Sequence, residues 1–270
     1  MKIKNKTLAL TESSVMLALA FILSFIKVVD MPYGGSVTAF SMLPIIIIAY
    51  RYRTLWGLVT GFAFSLLQML MGLGNLSYAT SAAAAAAIII LDYIVAFTVC
   101  GLGGMFRGLI KNQPTAIAAG ALVAGIFRYI CHVISGCTVW AGVSIPSADG
   151  LIYSAGYNAT YMIPEILLTV VGAYFVGQIF TLTEDRIVRR PAAKGSLYGV
   201  LSAMCIAVGV VIGCAFIFRM MQNPDDGSFD ISLITVKSIN DWLPVIISAA
   251  VGCVAAAVVA VIGKTTKKAN

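Results

Sequence analysis

The chain of 270 residues is 60% hydrophobic and 11% charged, with a mean hydropathy of +0.96 and a net charge of +7. A soluble domain carries about 25% charged residues, so a soluble enzyme or binding module is excluded and the chain reads as an all-α polytopic integral membrane protein. Six scattered cysteines without a CxxC pair read as small core residues rather than a metal or redox site.

Apolar runs predict helices at 8–27, 41–50, 55–73, 82–105, 115–134, 151–182, 196–219 and 242–263. The first run is too long for a secretory leader and no small-residue cleavage site follows it, so it is expected to stay as a membrane span. The connections alternate in charge. Lys2, Lys4 and Lys6 precede the first helix, Arg51 and Arg53 follow the second, and Arg107 and Lys111 follow the fourth. Arg186, Arg189, Arg190 and Lys194 follow the sixth, and Lys264, Lys267 and Lys268 follow the eighth. Cytoplasmic loops carry excess Lys and Arg, which places both termini in the cytoplasm of a multi-pass cell-membrane protein. The basic excess is therefore a topology signal, with lipid rather than nucleic acid as the surrounding partner.

This orientation puts four connections outside: Val28–Phe40, Gly72–Thr80, the hairpin Arg128–Glu165 and Met220–Asn240. Helix 4 begins with the run Ala82–Ala87 and then reaches Asp92-Tyr93, a carboxylate within the span. The stretch 128–165 concentrates chemistry: the chain's only histidine (His132), Trp140, Tyr129, Tyr153, Tyr157, Tyr161, Asn158, Pro164 and Glu165. A helix is expected to leave the hydrocarbon near His132, with a Gly/Ser/Pro-rich loop before the next helix near Tyr153. Polar and ionisable groups at that depth are costly and mark a ligand path by default.

Asp92 offers negative charge, His132 a donor/acceptor ring and Asn158 an amide. Trp140, Tyr153 and Tyr93 offer flat π faces, each worth roughly 0.5–2 kcal/mol to a cation. Acid, amide and aromatics suit a small, flat, nitrogen-rich cation. A phosphate site would want clustered Arg or a Gly-rich loop, and neither is present. The plainer alternatives are a satisfied core polar pair and interfacial aromatic anchors. Arg128, one turn before His132, is expected to form a structural ion pair with Asp92 or Glu165.

Domain organisation divides into a six-helix substrate-binding core (1–182), a charged linker (183–195) and a two-helix C-terminal extension (196–270). The extension has no Asp, Glu, Lys, Arg or His between Ser196 and Phe218 or between Trp242 and Gly263. It is expected to pack outside the core and to supply stability or partner contacts rather than ligand contacts. No internal repeat is evident.

Four segments resemble the thiamine-specific S components of energy-coupling-factor (ECF) transporters, the ThiT/YuaJ family: Ser41–Gln68, Leu91–Phe106, Phe127–Gly142 and Tyr153–Glu165. The run H-x-x-S-G-x-x-x-W followed by Y-S-x-x-Y-N-x-x-Y-x-x-P carries most of the specificity. The resemblance implies a six-helix fold over about 8–182 and a thiamine pocket lined by Asp92, Tyr93, His132, Trp140, Tyr153 and Asn158. The family's acid is often glutamate, so Asp92 shortens the reach by one methylene. Tyr33 is the candidate for the aromatic lid of the first loop. No cofactor is implied. The implied partners are a transmembrane coupling protein and two ATPases, since the chain has no Gly-x-x-x-x-Gly-Lys-Ser/Thr loop of its own. Ser14, Ala18, Ala20 and Ser24 of helix 1 form the candidate docking face. Three other readings stay open: an S component for another vitamin or precursor, a stand-alone ion-coupled carrier, and an intramembrane enzyme, for which no nucleophile-bearing motif is present.

Overall fold

A computed structural model describes residues 3–31, 34–141, 148–190, 196–225 and 230–268, without the side chains of 139–141, 148–149, 196 and 267–268. Seven helical segments among the described residues are long and apolar enough to cross a membrane. Helix starts follow their capping residues. Asn5 Oδ1 accepts the Leu8 amide ahead of α1 (Lys6–Ser24), and Asn112 Oδ1 accepts the Thr115 amide ahead of α5 (Gln113–Ala141), each satisfying an amide with no partner within the helix.

α1 leads into a hairpin of β1 (Lys27–Asp30) and β2 (Ser36–Thr38), closed by the Met31 amide on the Gly35 carbonyl at 2.8 Å. Within the loop predicted at 28–40, the described residues thus include paired strands at both ends, with Gly34 at φ 91°, a conformation glycine adopts readily. α2 (Leu43–Met71) contains Arg53 at φ 73°, ψ 163°. Eight residues of straight helix span about 12 Å, yet Gly57 abuts Ala49 so closely that a Cβ there would overlap it. Ser41 before the first limb and Gln68 near the end of the second line the same cavity. The chain therefore folds back at Arg53, and α2 is two limbs, in agreement with the two helices predicted at 41–50 and 55–73.

The rod 82–104 is irregular. α3 (Ala82–Ala87), capped by Ser81 Oγ on the Ala84 amide at 3.1 Å, passes into wide π-helical turns over Ile88–Val95. α4 (Ala96–Thr98) and a tight 3₁₀ stretch Val99–Gly104 follow. Gly101 lies on the backbone of Gly57 and Leu58, and Gly120 of α5 on the Gly103 carbonyl, with no room for a side chain. Small residues let helices approach backbone to backbone in a lipid setting.

α6 (Ala148–Ile179) packs along α5 and ends in a second hairpin, β3 (Phe180–Leu182) with β4 (Ile187–Arg189). Gln113 clasps that end: its amide donates to the Gly177 and Phe180 carbonyls and its oxygen accepts the Leu182 amide. Helix is thus replaced by strand at 180–182, and much of the predicted linker 183–195 is built structure. Glu184 pairs with Arg107 at 3.4 Å and Arg53 at 3.6 Å, and Asp185 with Lys4 at 3.4 Å. At the same basic end the fully buried Arg51 pairs with Glu12 and donates to the Thr183 carbonyl at 2.9 Å. α7 (Ser196–Met220) lies on α6, and α8 (Ile239–Lys268) packs mainly on α7.

Candidate ligand-binding site

A cavity of about 370 Å³ opens at the end of the bundle opposite the basic cluster. Its roof is the β1–β2 hairpin, contributing Gly34, Gly35, Ser36 and Thr38, and its walls come from α2, the π turns, α5 and α6. The π turns widen the helix where Asp92 and Tyr93 sit, and both neighbours line the cavity. Such turns are rare and concentrate at functional sites.

Asp92, Tyr93, His132 and Asn158 meet in this one cavity. Asp92 Oδ1 lies 2.8 Å from His132 Nδ1, and its Oδ2 accepts the Ser135 hydroxyl at 2.8 Å. An imidazole bonded to a carboxylate through Nδ1 keeps its other nitrogen for a ligand; His132 Nε2 is buried with no hydrogen-bond partner. Asn158 donates to the Ser154 carbonyl at 2.9 Å and accepts the Tyr161 hydroxyl. Tyr93 donates to the Gly72 carbonyl at 3.1 Å and accepts from Asn75 at 2.8 Å.

Of the remaining two residues of the predicted set, one is described away from the cavity lining and one has a side chain outside the described residues. Tyr153 packs against the apolar cluster between α6 and α7 and is not among the cavity-lining residues. Trp140 belongs to α5, which runs on to Ala141 rather than ending near His132, and its side chain lies outside the described residues, as does Tyr33. The docking set also divides. Ser14 and Ala18 share an exposed face, whereas Ala20 is buried in the core and Ser24 lines the cavity. Alternating small residues showed close approach but not which side of α1 makes it.

Gln68, Asn75 and Tyr78 also line the cavity and escaped the sequence reading, while Tyr157 and Tyr161, named within the stretch 128–165 but given no ligand role, line it as well. Gln68, with Nε2 buried and unpartnered, was detectable as the lone amide of an otherwise apolar limb. Arg128 forms the expected structural pair: Nη1 lies 3.2 Å from Glu165 Oε1, with the guanidinium 4.3 Å over the Phe97 ring. The same Glu165 oxygen accepts the Thr38 hydroxyl at 2.7 Å, so the pair ties the roof to α6.

A membrane protein of apolar helices with a polar, aromatic cavity at one end defines a small-molecule binding or transport subunit as the class. The chain belongs to the family described as Thiamine transporter protein (Thia_YuaJ), whose profile matches residues 10–183. It is 33% identical over 173 residues to "Thiamine transporter ThiT" of Bacillus subtilis strain 168, covering 60% of this chain and 86% of that protein. The solved structure of ThiT from Listeria monocytogenes shares the fold, with a TM-score of 0.51 at 22% identity over 64% of this chain and 95% of that one. Residues 184–270, with α7 and α8, lie beyond the family match.

Proposed function

We propose that the protein is the thiamine-binding S component of an ECF-type importer, taking thiamine at the outer face and releasing it through an ATPase-driven module. Charge balance carries this reading. Arg128 is matched by Glu165, and Lys27 at the cavity rim by Asp30 at 3.0 Å. Among the described residues, Asp92 is the cavity carboxylate that no Lys or Arg matches, its contacts being the His132 ring and the Ser135 hydroxyl. A monocation fits that balance, and the thiazolium of thiamine is one. His132 Nε2 then accepts from the exocyclic amine of the aminopyrimidine, and Tyr93, Tyr157 and Tyr161 supply π faces. The family membership supports the same ligand.

Both termini face the cytoplasm in this reading, because the reversal at Arg53 adds a crossing and the basic cluster gathers at the end away from the cavity. Ser14 and Ala18 remain as the docking face for the coupling protein. Calorimetry on the detergent-purified protein tests the ligand. Thiamine is expected to bind well above an isostere with a neutral ring in place of the thiazolium, by about 1–3 kcal/mol for a charge-assisted contact. Equal affinity for the two would remove the charge argument.

A further inference from the structure

The C-terminal extension contributes no residue to the cavity lining among the described residues, yet it stands directly behind two of its walls. Phe218 in the last turn of α7 packs edge-on against Tyr157, with centroids 6.0 Å apart, and Tyr157 packs on Tyr161 at 5.8 Å. Both tyrosines line the cavity and are nearly buried, at 5% and 6% exposure. The roof is held in the same cluster: Met31 and Val37 of the hairpin region pack with Phe218, Met221 and Val211. Gly35 in the roof lies against both tyrosines, so close that a Cβ would stand 2.8 Å from Tyr161 and 3.0 Å from the Tyr157 hydroxyl.

The segment after α7 completes the support. The Asp230 amide donates to the Met221 carbonyl at 2.7 Å and folds the 3₁₀ turn Ile231–Val236 back toward the bundle. There Ile231 fills the space over Gly156, one residue before Tyr157. A roof of two short strands has little apolar area of its own, and an isolated hairpin is marginal in stability. Removing its packing partner raises the population of the open roof.

We propose that the outer end of α7, through Phe218 and Met221, is a brace that holds Tyr157 and the β1–β2 roof closed over the ligand and thereby sets the rate of ligand release. Phe218 is a positioning residue, acting through Tyr157 and the roof. The identity of the ligand rests on the thiamine reading above; the brace itself does not.

The test uses full-length protein and two readouts. The first is the dissociation rate of thiamine, chased with excess unlabelled ligand. The second is amide hydrogen exchange at residues 29–31 and 36–38 in the ligand-free protein. Phe218→Ala is expected to speed release about tenfold with little change in association rate, since changes within one interface fall mostly on dissociation. It should also speed exchange of the roof amides. Phe218→Leu should fall between wild type and Phe218→Ala, and Val254→Ala, at a site 63% exposed on α8, should match wild type. Met221→Ala replaces Phe218→Ala as the deciding variant if the latter does not fold. Unchanged release and unchanged roof exchange in a folded variant overturn the brace. Absence of thiamine binding in the wild type overturns the ligand reading alone, and the ligand-free exchange then decides the brace.

Discussion

Asp92 holds the His132 ring, and in the proposed reading its carboxylate also faces the cation of the ligand. Asp92→Asn keeps the shape and an acceptor oxygen for His132 but removes the charge, so thiamine affinity should fall by about 1–3 kcal/mol, read by calorimetry. The Arg128–Glu165 pair is of another kind: almost fully buried, and shared with the Thr38 hydroxyl of the roof. Losing one member strands a buried charge, so Arg128→Met should cost about 3–5 kcal/mol of stability, read as a lower midpoint of thermal unfolding. Adding Glu165→Gln should restore part of it. Trp140 is open to a direct test: thiamine should quench intrinsic fluorescence in wild type and lose that quench in Trp140→Phe. Trp56, hydrogen-bonded to Ser13 near the basic end, should not respond. At this scale the polar members were legible because a carboxylate, a histidine and an amide have no ordinary reason to sit in hydrocarbon. The tyrosines were harder to place, since a half-apolar ring is at home at an interface, in a core or on a ligand, and only packing separates Tyr161 from Tyr153.

Among the elements, the reversal at Arg53 is the most exposed to test. A φ of 73° with ψ of 163° belongs to a region open essentially to glycine, at a cost of order 1–3 kcal/mol for other residues. The Arg53–Glu184 contact is long and the arginine side chain 45% exposed, so little is lost with it. Arg53→Gly should therefore raise the unfolding midpoint by a few degrees and leave ligand binding unchanged; a lower midpoint would show that the pair outweighs the strain. The helices themselves could be read from apolar runs, and the two-limbed α2 from the basic residues at its turn. The two hairpins could not, because strands of three and four residues leave too short an alternation to stand out beside helical runs.

Over the whole molecule, reporter fusions placed at either terminus should report the same cytoplasmic compartment; opposite compartments would mean that α2 crosses only once. The packing of α7 against the roof was not legible in the sequence, since membrane helices without charge announce packing surfaces and not their partners. The two seams of the bundle also differ in mechanical kind. The inner one, where Gly57, Gly101, Gly103 and Gly120 meet, joins backbone to backbone and has no rotamers through which to yield. The outer one, between α6, α7 and the roof, is filled by Met31, Met162, Met221 and aromatic rings. Thioether chains repack among several rotamers at small cost, while close-packed backbone transmits displacement undiminished. The compliance of the protein is thus concentrated on the flank where α7 holds the roof, so the roof can yield there by repacking of side chains, whereas a load applied to the inner helices would arrive at the ligand as rigid motion.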